Sequence, residues 1–469
     1  MKVFTYSPGG VYPEESKITR DKPFEVFPYP TIVIIPLQQH TGAPNTPLVK
    51  VGDYVKIGQK LGDSTQAISA PVHATVSGEV TAIEQRLCPT GAKVQSIIVK
   101  NDFKEEWVDR KPRENFEDLS KEELIKIIKE HGIVGLGGAA FPTAVKLTPP
   151  KEKVIETVIA NGAECEPYLT VDHRIMLEYP EEIITGILIE MKIAGAKKGI
   201  IAVEENKKDA AELLSSKVKA RNLDDLEVVL VKTKYPQGGE KQLVKAVLGK
   251  EVPSGGLPLD VGVIVQNVGT LKAIYDAVLE DKPLIERGIT VSGTAVAKPG
   301  NYIVRIGTPA SFIIDTLGLN RNLRKLIFGG PMMGVAQPIT DVPVLKGTSG
   351  ILMFGDEILK EESEESPCIR CANCVDACPM GLLPVMIDHA SRRNALKEAE
   401  SLSALDCIEC GICSYVCPAK RHLTENIKNV KQAILKQKRI EAAKQAAFEK
   451  LREKRTKEKE NATKEAKNG

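Results

Sequence analysis

The sequence predicts a multidomain α/β protein, and three observations carry that expectation. Short strands separated by regular turns fill residues 31–100, strands alternate with helices from about residue 120 to 279, and eight of the ten cysteines crowd into Cys368–Cys417. Alternating strands and helices predict a mostly parallel sheet covered on both faces. At 469 residues the chain is long enough for several domains of roughly 150 residues each and for large cores.

The net charge of +2 hides an uneven distribution. From Ile427 to Gly469 there are 14 Lys and Arg against 6 Glu, so the rest of the chain carries a net −6. An acidic body argues against general nucleic-acid binding. No apolar run reaches the roughly 18 residues a membrane span needs, so a soluble or peripheral protein in a reducing compartment is expected.

In chain order, residues 1–30 hold Gly9, Gly10 and five prolines and read as an extended arm. Thr31–Ile35, Val51–Val55, Ile57–Leu61, Ile68–Val72 and Ala74–Val80 read as strands, with Gly-Asp and Ser-Gly pairs at the turns. His73 reads as a hydrogen-bonded structural histidine, with a ligand or flavin contact as the alternative. Residues 101–118, charged and holding the single Trp107, read as a linker. Ser120-Lys-Glu-Glu123 is a capping box ahead of Leu124, Ile127 and Ile128 at helical spacing. That helix stops near Gly132, where a glycine-rich loop runs to Pro142.

Strands are expected at Val154–Ala160, Gly199–Val203, Leu226–Val231 and Val261–Val268. Helices are expected through the Ile183–Ala194 region and over Lys207–Ala220, Lys241–Leu248 and Thr270–Leu279. Ile289 to about Leu317 reads as a small β-grasp domain, and Pro331-Met-Met-Gly334 opens a loop-rich connector. Beyond Cys417 the chain turns helical and charged. Its last 30 or so residues read as a solvated or frayed helix, with docking on an anionic partner or membrane surface as the alternative.

Cys368, Cys371, Cys374 and Cys378 precede Pro379; Cys407, Cys410, Cys413 and Cys417 precede Pro418. Each set reads C-x2-C-x2-C-x3-C-P, the bacterial run for a [4Fe–4S] cluster, whose fourth cysteine ligates the other cluster. The expected ligand sets are therefore Cys368, Cys371, Cys374 and Cys417 for one cluster, and Cys407, Cys410, Cys413 and Cys378 for the other. Zinc sites use spaced C-x2-C pairs and need no third nearby cysteine. A disulfide framework suits short secreted chains. Cys88 and Cys165 lack spaced partners and read as small buried hydrophobes.

Gly135, Gly137 and Gly138 lack Cβ atoms, so their backbone N–H groups suit close approach to a phosphate. Lys146 adds a cation. Asn161, Glu164 and Glu166 follow one strand, Tyr235 to Glu240 another, and Asn267 to Thr270 a third. Ligands of such sheets bind at the carboxyl ends of the strands, so these segments are expected to converge there.

Three resemblances follow from those residues. The Thr31–Lys100 strands resemble the biotinyl/lipoyl barrel-sandwich domain. Its hairpin region here, Gly62–Ile68, has no lysine, so the resemblance implies a docking or structural module rather than a carrier. The glycine loop and acidic segment resemble the flavin- and NADH-binding subunit of respiratory complex I. That implies a Rossmann-like domain in which Gly135, Gly137, Gly138 and Lys146 hold FMN. Asn161, Glu164, Glu166 and Glu240 would line the flavin/NADH site, with Asn267 and Thr270 at the phosphate end. The family's loop arginine is Leu136 here and its first acidic residue is Ala163, which shifts phosphate compensation to Lys146 and the backbone.

The order of parts over residues 1–420 resembles the C subunits of Rnf ion-translocating ferredoxin:NAD+ oxidoreductases. The implied organisation is an arm and barrel-sandwich (1–105), an FMN/NADH domain (119–283), a β-grasp domain (284–335), a two-cluster ferredoxin-like helical domain (360–425) and a basic helical or disordered tail (427–469). The implied activity is hydride exchange with NAD(H) through FMN and single-electron transfer through two [4Fe–4S] clusters. The implied partners are a ferredoxin-like subunit and membrane-embedded, flavin-bearing subunits, which would hold this chain peripherally at the cytoplasmic face of a prokaryotic membrane while they move the ion. Alternatives are a soluble reductase resembling cobalamin reductase, a non-enzymatic electron conduit with a vestigial nucleotide fold, and a carrier or scaffold module.

Overall fold

A computed structural model describes residues 2–360 and 364–468. The chain divides into two compact units, Met1–Ser363 and Glu364–Gly469.

The first unit is built on a five-stranded parallel sheet in the order Val3–Phe4, Leu226–Val231, Lys198–Glu204, Thr157–Gly162, Val263–Asn267. Its strands are near-continuous apolar runs because both faces are covered. Val158, Ala160, Ile201 and Val203 face helices Pro180–Ala194, Lys208–Ala220 and Val268–Val278. Ile159, Ile200 and Val229 face helix Glu240–Leu248. Ser120 forms the expected capping box with Glu123. Helix Pro180–Ala194 starts with proline at its first turn and stops at left-handed Gly195, as helix ends favour. A helix at Val171–Glu178, not expected from the sequence, precedes it.

A second, six-stranded sheet runs Val335–Gln337, Lys325–Phe328, Gly350–Phe354, Glu286–Ser292, Gly300–Arg305, Phe24–Val26. Helix Ala310–Leu317 packs across it through Ala310, Ile313 and Leu317. This sheet continues past the expected boundary at 335. The stretch read as a connector supplies the strand Gly350–Phe354, pairing parallel with Glu286–Ser292. The arm is extended but not loose, since Val3–Phe4 joins one sheet and Phe24–Val26 the other.

In the barrel-sandwich region a four-stranded and a three-stranded sheet enclose Val33, Ile35, Val55, Leu61, Val72 and Val80. The strand expected to end at Val80 runs on as Gly78–Leu87 and pairs with Lys93–Asn101 across a bulge. Its outer half is half-buried or exposed, with polar Glu84, Gln85 and Arg86 between Ile83 and Leu87, so it gives no apolar alternation to read.

The second unit has short helices Asn373–Asp376, Pro384–Arg392, Leu396–Ser401 and Ile412–Tyr415, followed by the long helix Leu423–Asn468. Leu423, Ile427, Val430 and Ile434 bury one face of that helix against Leu382, Ile387 and Ala399. From Leu435 to Glu449 every residue is exposed. Buried Asp388 anchors the helix start by accepting from Arg421 Nη2 (2.5 Å), Asn426 Nδ2 (2.6 Å) and Arg392 Nε (3.0 Å).

Gly186 lets helices Pro180–Ala194 and Val268–Val278 meet closely, since a Cβ there would run into the Leu271 carbonyl. Gly186→Ala is therefore expected to destabilise the fold by about 1–3 kcal/mol. Thermal melting checks this, and an unchanged midpoint would contradict the close approach.

Candidate functional site

The strand order fixes where a ligand fits. The chain passes from Thr157–Gly162 outward through Lys198–Glu204 to Leu226–Val231, then returns to lay Val263–Asn267 on the other side of Thr157–Gly162. The crevice at such a reversal, outside the carboxyl ends of the strands, is the ligand position of doubly wound sheets.

The glycine turn reaches this crevice pinned at its base. The Gly135 N–H donates to the Phe141 carbonyl (2.9 Å), and the Leu136 N–H donates to the Thr270 hydroxyl (2.9 Å). Arg287 Nη2 donates to the Leu136 carbonyl (2.8 Å) and Nη1 to that of Lys346 (2.6 Å). The Leu136 side chain is buried, while Gly137, Gly138 and Ala139 stand exposed. A Cβ at Gly137 would lie 2.9 Å from Asn267 Cβ, whereas one at Gly138 would meet nothing within 4 Å. Packing thus requires the first glycine, and the second leaves open backbone. Asn267 caps helix Val268–Val278, its Oδ1 accepting from the Gly269 N–H (2.8 Å). Exposed loop backbone beside a helix N-terminus suits an anion.

Lys146 Nζ donates to Glu240 Oε1 (2.6 Å) and to the Val265 carbonyl (2.5 Å), so two residues far apart in sequence meet at the reversal. Asn161 Nδ2 donates to the Gly238 carbonyl (2.8 Å) and its Oδ1 accepts from the Ala163 N–H (3.1 Å). That ties the acidic segment to the turn preceding Glu240. Beneath, Gln266 Nε2 donates to Glu190 Oε1 (2.7 Å). Burial pushes the Glu190 carboxyl up to about 7.

The two other acidic residues are engaged by protein. Glu164 is 5% exposed. Its Oε1 accepts from the Asp172 N–H (2.8 Å), and its Oε2 lies 3.9 Å from Lys17 Nζ without a hydrogen-bond partner. Burial raises its pKa first, and neighbouring Asp172 adds to the rise. Glu166 accepts from the N–H groups of Met332 (3.0 Å) and Met333 (2.9 Å). Burial pushes it up to about 7. Asp172 in turn accepts from Asn267 Nδ2 (2.8 Å), which links the acidic segment to the helix cap. Sequence reasoning missed Lys17, Asp172, Arg287 and Lys346, none of which sits in a recognisable motif.

In the second unit the two cysteine runs share one backbone shape. Arg370 and Ala372 in the first run, and Glu409 and Gly411 at the equivalent places in the second, all take positive φ. Arg370 N–H points at Cys368 Sγ, Glu409 N–H at Cys407 Sγ and Leu382 N–H at Cys378 Sγ, each at 3.4 Å. Contacts of this kind tune the potential of an iron–sulfur cluster where the sulfur is a ligand. Cys378, Cys407, Cys410 and Cys413 line one cavity walled by Met380, Leu382, Ile408, Ile412 and Ile427. Cys374 lies within electrostatic reach of Cys368 and Cys417. Cys371 is exposed. Among the described residues, no three His, Cys, Asp or Glu side chains close on one point as a single ion requires; the second set surrounds a volume instead.

Family models match three segments: the RnfC barrel sandwich hybrid domain over residues 5–104, the Nuo51 FMN-binding domain over 128–276 and the 4Fe-4S dicluster domain over 367–421. Fold and sites thus define a flavin- and iron–sulfur-binding oxidoreductase subunit. The C subunit of the proton-translocating ferredoxin:NAD(+) oxidoreductase complex of Clostridium ljungdahlii is 46% identical over 427 residues, covering 90% of this chain and 93% of that one. Its counterpart in the Na(+)-translocating complex of Acetobacterium woodii is 46% identical over 436 residues, covering 92% and 97%. The C subunit of the ion-translocating oxidoreductase complex of Haemophilus influenzae is 41% identical over 402 residues, covering 85% of this chain and 61% of that one. The chain belongs to this family, the C subunits of Rnf complexes, and FMN and [4Fe–4S] clusters are its cofactors.

Two outcomes are expected. Gly138→Ala should leave the melting temperature unchanged while weakening FMN binding, whereas Gly137→Ala should disturb both; equilibrium flavin binding and thermal melts separate them. Glu190 has its carboxyl at about 7 in the fold against an ordinary 4.5. Its contribution to stability is complete below about pH 4.5 and is lost as pH rises through about 7. Between about pH 5 and pH 8 the native chain should lose up to about 3 kcal/mol relative to Glu190→Gln, measured by denaturant titration at each pH.

Proposed function

We propose that this chain is the subunit of a ferredoxin:NAD+ oxidoreductase complex at which electrons enter or leave as NAD(H). The observation that carries this reading is one chain joining an FMN-type crevice at the sheet reversal to a duplicated cysteine run. FMN supplies the exchange between hydride chemistry and single-electron chemistry. The backbone of Gly135, Gly137 and Gly138, with Lys146, holds FMN, and Asn267 and Thr270 stand at its phosphate end. Asn161, Glu164, Glu166 and Glu240 line the flavin/nicotinamide end. Cys368, Cys371, Cys374 and Cys417 hold one cluster, and Cys407, Cys410, Cys413 and Cys378 the other.

The partners are a ferredoxin-like subunit and membrane-embedded, flavin-bearing subunits at the cytoplasmic face. Among the described residues no helix is long and apolar enough to cross a membrane, and ion movement belongs to the partners. The chain's domains are the arm and barrel-sandwich (1–105), the FMN/NADH domain (119–283), the β-grasp domain (284–335), whose sheet also takes in Gly350–Phe354, the two-cluster domain (360–425) and the basic tail (427–469).

Calorimetry with NADH tests the reading on anaerobically purified chain with FMN added. Binding together with flavin bleaching is expected, whereas a mere conduit binds no NADH. Exchange of the fourth cysteines predicts a further result. Cys378→Ser should remove the cluster of the second run and spare that of the first, lowering iron from about eight to about four per chain. Loss confined to the first-run cluster would contradict the crossed assignment.

A further inference from the structure

We propose that Lys17, in the N-terminal arm, is a positioning residue of the nucleotide site, holding the acidic segment in the shape that the cofactor meets. This rests on the reading of the crevice given above. Lys17 Nζ donates to the carbonyls of Glu164 (3.0 Å), Glu166 (3.0 Å) and Leu169 (2.6 Å). An ammonium has three N–H groups, and all three are used on one short stretch of main chain. Three carbonyl oxygens turned to one point repel each other, so the bend that aims Glu164 and Glu166 needs a cation at its centre.

The arm reinforces this grip on either side of Lys17, through Glu15 and Thr19. The Glu15 carbonyl accepts from the N–H of Tyr168 (2.9 Å), which has a φ of +66°. The Thr19 hydroxyl meets that of Thr170 (2.6 Å). Apolar packing supports the far end of the segment, where Leu169 is buried beside Ile327, Leu352 and Phe354 and the Tyr168 ring meets Phe354 edge-on at 5.3 Å, but its acidic start borders a cavity of about 140 Å³ lined by Tyr12, Lys17, Glu164, Cys165, Glu204 and Tyr235. Burial, together with the nearby Lys207 ammonium, lowers the Lys17 pKa, as expected of a cation held mainly by carbonyls. The nucleotide site is therefore composite. Its acidic wall takes its shape from a residue about 150 positions earlier in the chain.

The test uses the full chain, loaded anaerobically with its clusters. Lys17→Met keeps the apolar stem and removes the donors. The expected result is unchanged iron content with FMN affinity lowered about tenfold, the equivalent of one strong interaction. Lys17→Ala opens space beside a cavity that already reaches solvent, so added ethylammonium should restore FMN affinity saturably, while tetramethylammonium, which has no N–H to donate, should not. Unchanged FMN affinity in Lys17→Met, or equal rescue by both cations, would overturn the proposal. A wild-type chain that takes up no FMN would overturn the reading of the crevice itself.

Discussion

Buried cations that donate to main-chain carbonyls hold the first unit together. Lys17 takes three carbonyls of the acidic segment. Arg287 takes those of Leu136 and Lys346. Lys346 Nζ takes Pro71 (2.7 Å) and Gly132 (2.6 Å). A buried charge is tolerated when it is hydrogen-bonded or paired; here carbonyl oxygens supply the directional partners, and the Glu164 carboxylate 3.9 Å from Lys17 adds an opposite charge. Burial pushes the Lys346 ammonium down to about 7, and its neutral amine still has two N–H groups for its two carbonyls.

These contacts join parts that would otherwise be separate modules. Lys346 links the barrel-sandwich at Pro71 to the start of the glycine loop at Gly132. Arg287, on a strand of the second sheet, fixes the loop's base at Leu136. The loop therefore stands on the helix cap at Asn267 with its exposed glycines fixed in place. Because position 136 is leucine, the turn carries no side-chain cation there, and Lys146 at the sheet reversal is paired with Glu240. Preorganised open backbone of this kind binds an anion with little ordering of the loop.

Much of this was legible from local pattern. The strands Gly199–Val203 and Leu226–Val231 were readable because apolar runs bounded by turn residues mark covered strands. The cysteine runs were readable because ligand spacing is set by the cluster rather than by the fold. The segments around Asn161, Glu240 and Asn267 were expected to converge, since the strand–helix alternation places all three at carboxyl ends. The rest depends on tertiary contacts that leave no local trace. Two- and three-residue strands in the arm show no periodicity, and the outer half of Gly78–Leu87 sets three consecutive polar residues between Ile83 and Leu87. The strand Gly350–Phe354 followed a loop-rich stretch that hid its membership of the second sheet. Nothing near Lys17, Arg287 or Lys346 announces which carbonyls they reach. The burial of Glu164 and the capture of Glu166 by Met332 and Met333 likewise depend on segments distant in sequence.

The central claim is that one chain joins a two-electron nicotinamide site to one-electron clusters. Anaerobic titration of the FMN-loaded chain with NADH, followed by electron paramagnetic resonance, tests it most directly. The account predicts that NADH generates reduced-cluster signals in the presence of FMN, and none once the flavin is removed. Clusters that dithionite reduces but NADH leaves oxidised, with flavin bound, would contradict it.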